Sequence, residues 1–208
     1  NKKPLIAYTI DEALKTKKID IIVISSNDDK ILRLKKKYNN IIFIKRPEHL
    51  CRDNSTTESA MLHALNNLEK KGIVIKNFVL LQPTSPFRNS LDINNSIDIF
   101  IKKKLSSLVS VNKKKIFLWK KIKNKLLPIT YSPNQRKMTQ NMKDYFVENG
   151  AIFITSINKF KKVKSRLFDK IGFYQMDYLN SLEIDDVKDL NFIKLVAKLN
   201  YNKIMNKK

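Results

Sequence analysis

Ile21-Ile22-Val23-Ile24, Ile41-Ile42-Phe43-Ile44 and Phe78-Val79-Leu80-Leu81 are three short runs without a single polar residue. Runs that lack the polar alternation of a half-exposed strand are the pattern of strands covered on both faces. The intervals between them are helical in period. Asp28 to Tyr38 reads as one helix, and Ser55-Thr56-Thr57-Glu58 as a capping box that opens another through Leu68. Apolar strands separated by amphipathic helices predict an α/β fold, a doubly wound and mostly parallel sheet.

Working outward, the same alternation continues. Upstream, Pro4 suits a first helical turn, and Ile6, Ile10, Ala13 and Leu14 share a face. Downstream come a helix from about Ser90 to Lys103 and a strand from Leu108 to Val111. The chain returns through Ala151-Ile152-Phe153-Ile154, a strand near Phe173 and a last helix from about Val187 to Ile204. Residues 1–208 are read as one domain, since the length fits a single core. Residues 112–149 depart from the pattern: a Lys-rich, hairpin-like piece around Phe117, Leu118 and Trp119 is followed by a polar stretch, Ser132 to Lys143, with no core periodicity. Long irregular stretches in compact domains carry function more often than chance, so an excursion with substrate or subunit contacts is expected here. A parallel α/β fold ordinarily opens on a strand, whereas this sequence opens on a helix, so a first strand and its loop are expected upstream of residue 1. No glycine precedes Gly72, and a glycine-rich phosphate loop is therefore not expected within the N-terminal residues given.

The formal charge is +23. Such a balance suggests nucleic acid or an anionic surface, but it comes from 36 Lys against 6 Arg spread over nearly every segment. Dedicated readers of phosphates and base edges rely on Arg forks, and no nucleic-acid-binding signature is present. What remains is an attraction for small anions. No apolar run approaches a membrane span and the N-terminus lacks a signal-peptide core. One cysteine, Cys51, excludes an intrachain disulfide and fits a reducing, cytoplasmic setting.

Ligands of doubly wound sheets bind beyond the strand C-termini. Three polar clusters fall there: Arg46-Pro47, Asp53 to Glu58, and the stiff loop Gln82-Pro83-Thr84-Ser85-Pro86-Phe87-Arg88. Pro and Ser also make ordinary turns, so it is the convergence that points to a site. In Glu183-Ile184-Asp185 an extended backbone puts both carboxylates on one side, where they could hold Mg²⁺ beside substrate phosphates. The same acids, with Asp186, could instead cap the last helix. His49 and His63 are isolated, and Tyr145, Phe146 and Phe153 read from their chemistry alone as core.

Taken together these motifs resemble the CMP-sialic acid synthetases, or acylneuraminate cytidylyltransferases. Lys3-Pro4-Leu5-Ile6-Ala7-Tyr8-Thr9-Ile10 is similar to the family's first helix, Leu81 to Arg88 to its LQPTSPLR signature, Asn149-Gly150-Ala151-Ile152-Phe153-Ile154 to its NGAIYI strand, and Ser181 to Leu190 to its SIDIDTxxDL ending. The resemblance implies transfer of CMP from CTP to an acidic nine-carbon sugar, N-acetylneuraminate or legionaminate, with pyrophosphate leaving and Mg²⁺ as cofactor. By resemblance Arg46 and Thr57 contact the nucleotide, Gln82, Gln140, Asn149 and Phe153 the sugar, and Glu183 and Asp185 the metal. Two positions depart from the pattern: Glu183 stands where the family has an aspartate, and Asn27 replaces an acid in a family turn. The resemblance also implies a homodimer formed through the 112–149 excursion, and an upstream strand with an Arg/Lys loop that grips the CTP phosphates. The alternatives are a KDO or pseudaminate cytidylyltransferase, against which the Asn-Gly-Ala-Ile-Phe-Ile strand argues, and a non-catalytic basic homologue that binds nucleotide or nucleic acid.

Overall fold

A computed structural model describes residues 3–199. Its helices are α1 (Leu5–Leu14), α2 (Asp29–Leu32), α3 (Thr57–Glu69), α4 (Ser90–Lys102), α5 (Ile157–Val163) and α6 (Val187–Lys198). The strands are β1 (Ile22–Ser26), β2 (Ile41–Lys45), β3 (Asn77–Leu81), β4 (Ser107–Lys114), β5 (Trp119–Ile122), β6 (Lys125–Pro128), β7 (Tyr145–Ser156) and β8 (Ile171–Gln175). The part of the last predicted helix beyond Leu199 lies outside the described residues.

The alternation read from the sequence is present, but the sheet is mixed. β1 pairs with β2 in parallel. A separate four-stranded sheet runs in the order β3-β7-β4-β8. In it β4 and β8 are parallel, whereas β7 is antiparallel to both β3 and β4. β7 follows the excursion with no α-helix between it and β4, and a helix is the connection that usually joins parallel neighbours. β3 and β4 still point the same way, because both oppose β7.

Side chains alternate across this sheet as strand geometry requires. Val79 and Leu81 pack with Ile93, Ile97 and Phe100 of α4. Phe78 and Leu80 face Met61 and Leu65 of α3 and Phe160 of α5. β3 is thus covered on both faces, which is why Phe78 to Leu81 are apolar throughout. α1 does double duty. Ile10 packs with Ile22, Ile24 and Ile41 of the small sheet, while Thr9 and Glu12 reach the other way, to Arg88 and to the Ser90 amide.

Three local readings change. The predicted helix Asp28 to Tyr38 is a short α2 followed by a 3₁₀ turn, Arg33–Lys36. Arg33 and Lys37 would face each other as like charges one turn apart in a continued α-helix, and Tyr38 is tied to Asp11 by a 2.8 Å hydrogen bond instead. The α3 cap is Thr56, which accepts from the Ser59 amide, not Ser55. Ser55 Oγ is already engaged by the Arg52 amide and the His49 carbonyl. The excursion contains the β5–β6 hairpin, whose Trp119, Ile122, Leu126 and Leu127 are all exposed.

Candidate functional site

The site is built where β7 breaks register. Val109 pairs with Phe153 and Val111 with Glu148, so Ser110 alone stands opposite Asn149 to Ile152. The surplus residues bulge, as bulges near sites commonly do to re-aim a strand. Ser110 fills the gap in the ladder: its hydroxyl donates to Asn149 Oδ1 at 2.6 Å and accepts from the Ile152 amide at 2.8 Å. Asn149 Oδ1 also accepts from the Ala151 amide at 3.2 Å. Asn149 is buried, and its Nδ2 has no hydrogen-bond partner. A buried donor without a partner costs free energy, so it is a group prepared for one.

Gly150 adopts φ +66° at the crest of the bulge, a conformation that favours glycine. A Cβ there would meet Glu183 Oε1 at 2.3 Å and Gln82 Oε1 at 2.8 Å. Both side chains therefore lean over the bare backbone of Gly150, and three segments distant in sequence meet at one point beyond the end of β3.

Loop 82–88 is held there by its own residues. Arg88 is 1% exposed. Its guanidinium donates to the Gln82 carbonyl at 3.0 Å, the Ala151 carbonyl at 2.8 Å and Thr9 Oγ1 at 2.7 Å. Burial lowers its pKa to about 10, against the pull of Asp92 and Glu12; it is still a cation at neutral pH. Arg88 is thus a structural clamp and not the exposed ligand-facing guanidinium that the loop's composition suggested. On the other side of the loop Thr84 takes the segment before α6: its carbonyl accepts from the Ile184 amide at 2.9 Å and its hydroxyl donates to Glu183 Oε1 at 3.2 Å.

The two roles that the sequence left open for the acids are divided. Asp186 and Asp189 form the capping box of α6. The carboxylates of Glu183 and Asp185 are not used in it, although the Asp185 amide donates to Asp189 Oδ2 at 3.0 Å. Burial raises the Glu183 pKa and the nearby Asp185 carboxylate adds to the rise, opposed by the Thr84 hydrogen bond. Among the described residues no group of three or more His, Cys, Asp or Glu could hold a metal ion. Magnesium needs only one or two carboxylates beside phosphates and water, and the exposed Asp185 fits that demand. Glu183 fits it poorly, because its carboxylate is turned to Thr84 and packed over Gly150.

The remaining predicted residues fall in three places. Arg46 follows β2, and its guanidinium donates to Ser25 Oγ at 3.2 Å and the Ser25 carbonyl at 2.6 Å, fixing it at the C-terminal ends of the small sheet. Thr57 opens α3, and the charge of Arg46 is felt at His63 of the same helix. Gln140 is exposed in the excursion, where its carbonyl accepts from Lys115 at 2.6 Å. Phe153 is 2% exposed in a cluster with Val109 and Val111, under the guanidinium of Arg166. It supports the site from the core and offers no open wall to a ligand. Sequence reasoning missed Ser110 and the function of Gly150; the Asn-Gly pair inside an apolar strand was the available signal for a bulge.

Polar groups are thus gathered past the C-terminal end of a strand in an α/β sheet covered by helices, the place where ligands of such sheets bind. The fold agrees with that of CMP:2-keto-3-deoxy-manno-octonic acid synthetase complexed with CTP, at a TM-score of 0.64 and 12% identity, covering 95% of this chain and 88% of that one. The chain belongs to the cytidylyltransferase family, whose model, described as Cytidylyltransferase, matches residues 1–204. It is 29% identical over 97% of its length to an N-acylneuraminate cytidylyltransferase of Escherichia coli O18:K1:H7, covering 48% of that protein. It is 21% identical over 96% of its length to a pseudaminic acid cytidylyltransferase of Campylobacter jejuni, covering 87% of it. The chain spans about half the length of the N-acylneuraminate cytidylyltransferases it matches. No helix among the described residues is long and apolar enough to cross a membrane.

Proposed function

We propose that the protein carrying this chain transfers CMP from CTP to a nonulosonic acid, N-acetylneuraminate or legionaminate. The anomeric hydroxyl of the sugar attacks the α-phosphate, a new P–O bond forms, the bond to the β-phosphate oxygen breaks, and pyrophosphate and the hydroxyl proton leave. The observation that carries this reading is the meeting of Gln82, Asn149-Gly150 and Glu183 at the end of β3, the position where ligands of such sheets bind.

The residues divide the work. Arg46, pinned by Ser25, offers the free edge of its guanidinium to the nucleotide, beside Thr57 at the start of α3. Gln82 and the unpartnered Asn149 amide supply polar groups for the acidic sugar, and Gln140 of the excursion is assigned to the same sugar on the family resemblance. A guanidinium and amides held in place before the substrate arrives stabilise charge without reorganising. A magnesium ion, when bound, would neutralise charge on the triphosphate, and Asp185 is the carboxylate that would hold it.

The apolar strands β1 and β3 are only half-buried, and among the described residues each is hydrogen-bonded on one edge alone, while α3 touches both sheets and α1 packs on the small sheet and bonds to Arg88 just beyond β3. An additional strand between β1 and β3, followed by a loop that holds the CTP phosphates, would pair both edges and join the two sheets. The exposed apolar hairpin β5–β6 supports a homodimer in which the excursion meets a second copy. A cytoplasmic setting accords with the source of CTP.

The test is pyrophosphate release by the product of the complete gene, with CTP, Mg²⁺ and each sugar acid in turn. Turnover with neuraminate or legionaminate, well above that with KDO or pseudaminate, is expected. Salt-sensitive retention on nucleic acid, with no turnover of any sugar and no preference for CTP, would overturn the reading.

A further inference from the structure

We infer that Glu183 is a substrate-orienting hydrogen-bond acceptor of the sugar pocket and not a ligand to the metal. The inference deepens the function proposed above and rests on it. Its first support is where the carboxylate lies. Oε1 accepts from Thr84 Oγ1 at 3.2 Å, and Cδ and Oε1 are 2.8 and 2.3 Å from the point a Gly150 Cβ would occupy. Gln82 Oε1 is 2.8 Å from that same point. Glu183 thus shares its wall with Gln82, on the side of the site assigned to the sugar.

The second support is how the segment is fixed. The Ile184 amide bonds to the Thr84 carbonyl at 2.9 Å, so backbone and side chain of Thr84 together set the direction in which Glu183 leaves the chain. The extra methylene of glutamate over aspartate is what allows the carboxylate to lean across Gly150. The Asp185 side chain remains exposed, its carboxylate outside the capping box made by Asp186 and Asp189.

The third support is donor and acceptor balance. An ionised carboxylate has about four acceptor positions, and one hydrogen bond to Glu183 is accounted for. The ligand that fits is a polyhydroxylated acid that presents a hydroxyl or amide N–H to Glu183. The adjacent Asn149 Nδ2, buried and without a partner, is a donor for one of its oxygens. Glu183 then acts on which sugar is accepted and how it lies, with no part in holding triphosphate.

The experiment uses the complete protein with Glu183→Gln, Glu183→Asp and Asp185→Asn. Sugar KM at saturating CTP is measured beside Mn²⁺ affinity in the presence of CTP, read by electron paramagnetic resonance without turnover. The loss of one hydrogen bond to a charged group corresponds to about a tenfold rise in sugar KM for Glu183→Gln. Glu183→Asp, too short to reach Thr84, should follow it, and both should leave Mn²⁺ affinity within about twofold, while Asp185→Asn weakens Mn²⁺ by about tenfold or more. Weakened Mn²⁺ binding in Glu183→Gln, or an unchanged sugar KM, overturns the inference. If the native protein turns over no sugar acid, the proposed function fails on its own, and the Mn²⁺ measurement still decides whether Glu183 is a ligand.

Discussion

Arg88→Met is the substitution whose effect the structure specifies most fully. The thioether matches much of the arginine stem in volume but donates nothing. It leaves the Gln82 and Ala151 carbonyls and the Thr9 hydroxyl without the hydrogen bonds that Arg88 now gives them at 2.7–3.0 Å. Hydrogen bonds to a charged group contribute about 1.5–3 kcal/mol each. Against that, the guanidinium is held away from water, and its pKa of about 10 corresponds to a cost on the order of 3 kcal/mol, which methionine would not incur. Losses exceed relief, and the net destabilisation should be about 2–4 kcal/mol. In a chain of this size that lowers the midpoint of thermal unfolding by roughly 5–15 °C. Differential scanning calorimetry measures it directly. Arg88→Lys serves as the control, since one ammonium keeps the charge but cannot copy the planar fork, and it too should melt well below the parent. A methionine variant melting within about a degree of the parent would refute the clamp, because burial of a cation would then be unrewarded and the three acceptors would need another source of donors.

Gly150→Ala would set a Cβ 2.3 Å from Glu183 Oε1 at a φ of +66°, so a loss of about 1–2 kcal/mol in urea titration is expected together with weaker sugar binding. Ser25→Ala removes the side-chain partner of Arg46 Nε while sparing the backbone one, and CTP affinity measured by calorimetry should fall about two- to tenfold with melting nearly unchanged. His63 has a buried Nδ1 without a partner, and burial, then Arg46 and His49, lower its pKa. Below about pH 6.5 the unfolded chain therefore takes up a proton that the folded chain resists, and stability falls as the pH drops toward the folded pKa. In His63→Gln the decline in urea midpoint between pH 7.5 and pH 5.5 should flatten, and an unchanged slope would remove His63 as its source.

The class of fold was legible in Ile21–Ile24, Ile41–Ile44 and Phe78–Leu81 because a strand packed against neighbours on both faces leaves a mark at every position. The direction of β7 was not. An apolar run records how it is covered and says nothing of which neighbour it pairs with, and β7 is as buried between β3 and β4 as a parallel strand would be. Helix ends were partly legible: of the acids that could cap the last helix, Asp186 is the N-cap of α6, and its partner in the box, Asp189, was not read from the sequence. At α3 three consecutive hydroxyl residues could each have served, and only the other hydrogen bonds of Ser55 decide for Thr56.

For the site the same distinction holds between composition and geometry. Loop 82–88 announced itself through two prolines and a cluster of polar side chains, yet its arginine faces inward, because the carbonyls of Gln82 and Ala151 lie nearer than any ligand could. Glu183 and Asp185 look equivalent in an extended segment, since alternation puts them on one side. What separates them is a contact 99 residues away in sequence, with Thr84, and the absence of a side chain at Gly150. A glycine chosen for its positive φ thereby also makes room for a carboxylate. If that room were merely a consequence of the bulge, then neutralising the carboxylate that occupies it, by Glu183→Gln, would leave substrate preference untouched. If the bulge exists to admit Glu183 beside Gln82, the discrimination between neuraminate and its relatives should shift with that single atom.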